Sequence, residues 1–175
     1  MRVEVDRPRL EQLWATHAAA VRAYALRRTD PANADDVVME VFVIACRRLD
    51  AVPDEPLPWL LACARRVLSN QRRSVRRSQA LVTRIGSGLG GPLAAPDASD
   101  RLERALATLR ESDREVLLLN AWDDLDGAAL GTVLGCSRTA AGVRLHRARR
   151  RLAAAYARGG DAPARRDDPD LEVAR

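Results

Sequence analysis

The feature that most limits this chain is an interruption, Ile85-Gly86-Ser87-Gly88-Leu89-Gly90-Gly91-Pro92. Glycine and proline are the poorest helix formers, and this run offers almost no side chain to pack. It therefore reads as a linker that splits the 175 residues into two parts. One part has about 80 residues and the other about 60, each near the lower limit for a self-supporting core. Aromatic residues make up only 3% of the chain, against 47% hydrophobic residues supplied mainly by Ala, Leu and Val. Strands draw on aromatic and β-branched residues, so this mix predicts helices. The expected fold class is all-α: two small helical domains joined by a flexible linker.

In the first part, Leu10, Leu13, Trp14, Ala18, Val21 and Ala25 recur every three or four residues, the period of a one-sided helix over about 8–28. Asp30-Pro31 restarts the chain as N-cap and first helical residue. The second helix turns Val37, Val38, Val41, Phe42, Ile44 and Ala45 inward and Asp35, Asp36 and Glu40 outward. Pro53, Pro56 and Pro58 punctuate the loop that follows, and a third helix starts near Pro58. In the second part, Leu102, Leu106 and Leu109 mark a helix. Ser112-Asp113-Arg114-Glu115 has the spacing of a capping box and predicts the start of the next helix at Ser112. Asp126 is placed to cap a short helix, Gly135-Cys136-Ser137 to turn, and Ser137 to cap a last helix to about residue 157. Beyond Gly159-Gly160 the charged, Pro-containing tail is expected to be disordered.

Charge narrows the function. The net charge is +5, and all 29 basic residues are arginine. Arginine suits bidentate phosphate and guanine contacts, although a GC-rich genome would also favour it. Arg65, Arg66, Arg72, Arg73, Arg76 and Arg77 form one run free of acids; Arg138, Arg144, Arg147, Arg149, Arg150 and Arg151 form another. Between Asp30 and Glu55, seven acids face only Arg47 and Arg48. Two basic blocks and one acidic block predict two anionic contacts and a different partner for the middle.

The segment 126–151 has the parts of a helix-turn-helix: short helix, turn with Gly135, longer basic helix. At about 100° per residue, Ala141, Leu145, Ala148 and Leu152 share an inward face. Thr139, Val143, His146, Arg147 and Arg150 point away, where a major groove would lie. Catalysis is not expected. Asp35, Asp36 and Glu40 have no nucleophile, histidine or phosphate loop nearby, and His17 and His146 are far apart. Cys46, Cys63 and Cys136 are too widely spaced for a metal site or a disulfide framework and read as small buried hydrophobes. No cofactor or metal is expected. No apolar stretch reaches the roughly 18 residues of a membrane span, and Arg2, Glu4, Asp6, Arg7 and Arg9 leave no signal-peptide core. A cytoplasmic location follows as the expectation.

Three stretches then carry a family resemblance. Asp35-Asp36-Val37-Val38-Met39-Glu40-Val41-Phe42 resembles the core-binding helix of extracytoplasmic-function sigma factors, the small two-domain specificity subunits of bacterial RNA polymerase. Pro58-Trp59-Leu60-Leu61-Ala62-Cys63-Ala64-Arg65-Arg66 with Asn70 and Arg73 resembles their −10 segment. Trp122, Leu125, Val133-Leu134-Gly135-Cys136-Ser137 and Arg144-Leu145-His146-Arg147-Ala148 resemble their −35 helix-turn-helix. The resemblance implies domains at 8–79 and 100–157, a linker at 80–99 and a tail at 158–175. It implies core-polymerase contacts at Asp35, Asp36, Met39, Glu40 and Phe42, and −10 contacts at Trp59, Arg65, Arg66, Asn70 and Arg73. It implies −35 contacts at Ser137, Arg138, Thr139, Val143, Arg144, His146, Arg147 and Arg150. Core RNA polymerase and promoter DNA are the implied partners, with room for an anti-sigma factor and none for a small-molecule substrate.

Departures from the family pattern matter. Met39 stands where Gln is usual and Cys46 where Trp is often found. Arg66 replaces the customary Asn, removing a base-reading amide. Thr139-Ala140-Ala141-Gly142-Val143 replaces Gly-Thr-Val-basic-Ser, so a phosphate-binding charge is lost at Gly142 and an apolar contact suited to a thymine methyl is gained at Val143. Promoter preference therefore cannot be inferred from relatives. The competing reading is a free-standing helix-turn-helix regulator, which would leave the acidic helix without a partner; binding to core polymerase separates the two.

Overall fold

Backbone is described for residues 6–81 and 98–158 of the computed structural model, and side chains for 6–73 and 100–158. The expected linker glycines, the side chains of Arg76 and Arg77, and the tail after residue 158 lie outside the described residues. Seven α-helices are found there: α1 (Arg7–Leu26), α2 (Pro31–Arg47), α3 (Pro56–Leu81), α4 (Ala98–Thr108), α5 (Glu111–Ala121), α6 (Gly127–Leu134) and α7 (Arg138–Arg158). A 3-10 turn at Leu49–Ala51 leads from α2 towards α3, and no strand occurs among the described residues.

α1, α2 and α3 pack on one another to form the first bundle. Its core is Val21, Ala25, Ala34, Val37, Val41, Ala45, Leu60, Leu61 and Ala64, all essentially buried. Small residues at Ala25, Ala34, Ala45 and Ala64 let the helix axes approach, which compensates for the shortage of aromatic volume. Asp30 caps α2 as expected: its Oδ1 accepts from the Asn33 amide at 3.1 Å, and Pro31 takes the first helical position. The same amide holds the Asp30 carboxyl below its ordinary pKa. Trp14 departs from its expected inward position. It lies on the flank of the α1 stripe, 42% exposed, and rests edge-on against Phe42 with ring centroids 4.6 Å apart.

α4 to α7 form the second bundle around Val116, Leu119, Leu130, Val133, Ala141 and Ala148. Here the capping box at Ser112 is not formed. α5 starts at Glu111 with Arg110 as N-cap and no side-chain cap bond. Its expected participants are engaged elsewhere: Glu115 accepts from Arg28 and Tyr24, while the Arg114 guanidinium closes the end of α4 by donating to the carbonyls of Leu106, Ala107 and Leu109. Arg101 does the same for α7, donating to Tyr156 O at 2.9 and 2.7 Å with its guanidinium over the Tyr156 ring. These two arginines thus satisfy helix-end carbonyls, which otherwise lack partners.

The two bundles touch. α6 packs on α3, and the end of α1 meets α5 and the loop after it through Tyr24, Arg27 and Arg28. Tyr24 has no exposed surface and donates its hydroxyl to Glu115 at 2.8 Å. Burial, with the Glu115 charge adding to it, pushes the Tyr24 pKa up, so the phenol stays a donor.

Candidate nucleic-acid interface

The helix-turn-helix is built by a tight α6–α7 turn. Gly135 closes α6 in the left-handed region at φ 65°, where an L side chain is strained, and its amide donates to Thr132 O at 3.3 Å. The Cys136 amide then donates to Gly131 O at 2.9 Å. Gly131 is buried, and a Cβ there would lie 2.7 Å from Cys136 O. Ser137 caps α7, its Oγ accepting from the Ala140 amide at 3.2 Å.

α7 buries Ala141, Ala148 and Ala155 and half-buries Leu145 and Leu152, so the inward face runs where the helical wheel places it. Ser137, Arg138, Thr139, Val143, Arg144, His146, Arg147 and Arg150 are all exposed. They are not equivalent. Arg144, Arg147 and Arg150 have no ion pair or side-chain hydrogen bond among the described residues. Arg149, by contrast, donates to Asn120 Oδ1 at 2.7 Å, and Arg151 grips both oxygens of Asp113 at 2.8 and 2.7 Å. Asp113 is the one buried charged residue among those described. Five of the six arginines in the acid-free run therefore divide into two pinned guanidiniums that dock α7 on α5 and three that face outward. The Arg138 side chain lies over Gly127, its Nε 3.1 Å from where a Gly127 Cβ would be.

A second basic surface lies along α3. Arg65, Arg66, Asn70 and Arg73 are exposed. Arg65, Ser69, Arg72 and Arg73 line a cleft of about 370 Å³ whose opposite wall carries Glu111 and Glu115. Arg72 is taken by Glu111 and by Arg28 O. Trp59, expected with this set, is half-buried and packs against the core, so only its edge is available. Cys63 lies half-buried nearby, and burial pushes its thiol pKa up, which keeps it unreactive.

The third surface is the outer face of α2. Asp36 and Glu40 are exposed without partners among the described residues, whereas Asp35 accepts from Arg22 Nε at 2.6 Å. Met39 is 57% exposed and Val43, one turn on, 43%. Phe42 is only 6% exposed: it lies beneath this face and supports Trp14. An apolar strip of Trp14, Met39 and Val43 edged by Asp36 and Glu40 results. Trp14 and Val43 were missed because a helical period assigns faces but not their margins. No group of acids, histidines and cysteines among the described residues could hold a metal ion, and no described helix is long and apolar enough to cross a membrane.

Comparison with known proteins agrees with this layout. Residues 13–78 match Sigma-70 region 2, and residues 99–152 match Sigma-70, region 4. The chain is 31% identical over 152 residues to the ECF RNA polymerase sigma factor SigL of Mycobacterium tuberculosis, covering 82% of this chain and 86% of that one. It is 27% identical over 151 residues to the RNA polymerase sigma factor CarQ of Myxococcus xanthus, covering 81% and 86%. Among solved structures, the fold matches sigma factor RpoE from Bartonella quintana, in complex with the anti-sigma factor NepR, with TM-score 0.63 at 22% identity over 83% of this chain and 94% of that one. It also matches CnrH in complex with the cytosolic domain of CnrY, with TM-score 0.53 at 29% identity over 83% and 85%.

Proposed function

The chain belongs to the extracytoplasmic-function sigma factors of RNA polymerase, and from that premise we propose which surface does each part of the work. A sigma factor is a non-catalytic initiation factor: it binds core polymerase and directs it to promoters. The domain limits 8–79 and 100–157 serve as the −10 and −35 modules. The α2 face, Asp36, Met39 and Glu40 with Trp14 and Val43, docks on core polymerase; Asp35 and Phe42 hold that face in shape. Arg65, Arg66, Asn70 and Arg73 on α3, with the edge of Trp59, hold the unpaired −10 strand. Ser137, Arg138, Thr139, Val143, Arg144, His146, Arg147 and Arg150 face the −35 major groove. Work alongside polymerase makes the location cytoplasmic, and a similar protein solved with an anti-sigma factor makes such a partner the expected regulator.

The observation that carries this reading is the division of the α7 arginines. A solvated helix alternates sign, whereas Arg144, Arg147 and Arg150 form an outward face without an acid. A free-standing regulator would leave the α2 strip without a role. Run-off transcription with purified core polymerase and genomic fragments is the test. Discrete transcripts that require this chain are expected; failure to bind core in a pull-down overturns the reading.

A further inference from the structure

α7 carries its outward side chains on a smooth inward face. The residues it buries are Ala141, Ala148 and Ala155, with Leu145 and Leu152 only half-buried. Methyl groups let helices approach closely, but they make shallow ridges and interlock little. Such a face fixes the distance of α7 from its neighbours better than its rotation about its own axis. Rotation is what a groove-reading helix has to control. At a side-chain radius of about 6 Å, a turn of about 20° carries an outward group through about 2 Å. A hydrogen bond holds over a range of only about 0.5 Å.

Polar contacts supply what the alanines do not. At about 100° per residue, Arg149 and Arg151 stand about 80° to either side of Ala141. Both reach α5, and at opposite ends of it. Arg151 grips both carboxylate oxygens of the buried Asp113, in the first turn, at 2.8 and 2.7 Å. Arg149 donates to Asn120 Oδ1, in the last turn, at 2.7 Å. The Asn120 amide is itself held, since its Nδ2 donates to Leu125 O at 3.0 Å. Hydrogen bonds from a charged donor are shorter and stronger than neutral ones, and a bidentate grip adds geometric specificity. Rotating α7 in either sense pulls a guanidinium from its partner. We infer that Asp113 and Asn120 are positioning residues for promoter recognition: from α5 they set the rotation of α7, through Arg151 and Arg149, and so decide which side chains meet base edges. This rests on the reading of α7 as the −35 helix. Neither residue belongs to the outward set, so both act on sequence preference from behind the contact.

The test uses the full chain assembled with core polymerase, and a promoter recovered by run-off transcription and randomised at its −35 element. Sequences retained by the natural chain and by Asn120→Ala are compared, with urea midpoints measured beside them. Discrimination between the best sequence and the library average should fall about fivefold in Asn120→Ala, the worth of one weak base contact. The loss should spread over several adjacent base pairs, because the outward side chains shift together; removing one contacting side chain would relax only one. Asn120→Asp keeps an acceptor for Arg149 while giving up the bond to Leu125, so it should retain the natural preference. Arg149→Ala removes the same clasp from the α7 side and should broaden the same base pairs. An unchanged preference in Asn120→Ala, whatever its urea midpoint, would make the clasp merely structural and overturn the inference. So would a preference in Asn120→Asp as broad as in Asn120→Ala, which would move the effect to the Leu125 bond. Failure of the −35 reading shows separately and takes the inference with it: the natural chain would then select no −35 sequence, and Arg147→Ala would change nothing.

Discussion

Two glycines of the helix-turn-helix should respond in opposite directions to the same substitution. Both Gly131 and Gly142 lie inside helices, where alanine gains about 0.5–1 kcal/mol over glycine. At Gly142 an added Cβ meets nothing within 4 Å, so Gly142→Ala should raise stability by about that amount. At Gly131 the Cβ would stand 2.7 Å from Cys136 O and 3.3 Å from Arg138 N. These are backbone atoms, and that carbonyl cannot swing aside without moving the turn whose amide bonds Gly131 O. Overpacking of this kind costs about 1–3 kcal/mol. Taking the middle of each range, the cost less the helical gain leaves Gly131→Ala about 1 kcal/mol less stable. With a urea slope of about 2 kcal/mol/M, the two midpoints should differ by roughly 1 M. The assay is urea denaturation of each variant followed by helical circular dichroism, with −35 duplex binding measured in parallel. Gly131→Ala should also weaken binding, because relief of the clash shifts the start of α7. A Gly131→Ala midpoint at or above that of the natural chain would refute the turn geometry.

Asp36→Arg/Glu40→Arg, one turn apart on α2, should abolish binding to core polymerase in a pull-down while the helical signal stays unchanged. Arg147→Ala should lose roughly 1–3 kcal/mol of −35 affinity and relax preference at one base pair if it reads a guanine edge, or lower the salt slope by about one unit if it holds a phosphate. Arg149→Ala should lose less, since its guanidinium is engaged by Asn120; selection of −35 variants at two salt concentrations separates these cases. Asp30→Ala should destabilise the first bundle in a pH-dependent way. The Asp30 pKa is depressed by the Asn33 amide, so its contribution is full above the ordinary 3.8 and vanishes as pH falls through the lower folded value. Denaturation midpoints of the two chains should therefore converge in acid, and a constant gap down to about pH 2 would contradict the cap.

Local rules carried much of the reading of this sequence, although Asp126, placed to cap α6, stands at its N-cap without a side-chain cap bond. Asp30, Gly135 and Ser137 act on neighbours three or four residues away, and each ends or starts a helix as its chemistry dictates. The α7 wheel held because alanines at 141 and 148 admit only close packing on that side. Ser112 failed for the complementary reason. Asp113 is claimed by Arg151, 38 residues on, and Glu115 by Tyr24, 91 residues back, so no short window contains the competition. Sign alone did not distinguish a pinned arginine from a free one; Arg149 and Arg147 look alike until Asn120 is in place. The motif position of Phe42 implies contact with a partner and its period places it inside; it is buried in the first bundle, as the period requires.

The clasp of Arg101 on the Tyr156 carbonyl has a practical geometry in it. It brings the start of α4 beside the end of α7, so the chain enters and leaves the second bundle at one pole. From Arg138 to Tyr156 α7 rises about 27 Å at 1.5 Å per residue, which puts the groove-reading turns at the far pole. A fluorophore, affinity tag or fused protein attached after Arg158 is thus held about 30 Å from the start of the recognition helix. The same attachment stands next to the start of α4, so bulk there would press on the Arg101 clasp before it reached the groove-reading turns.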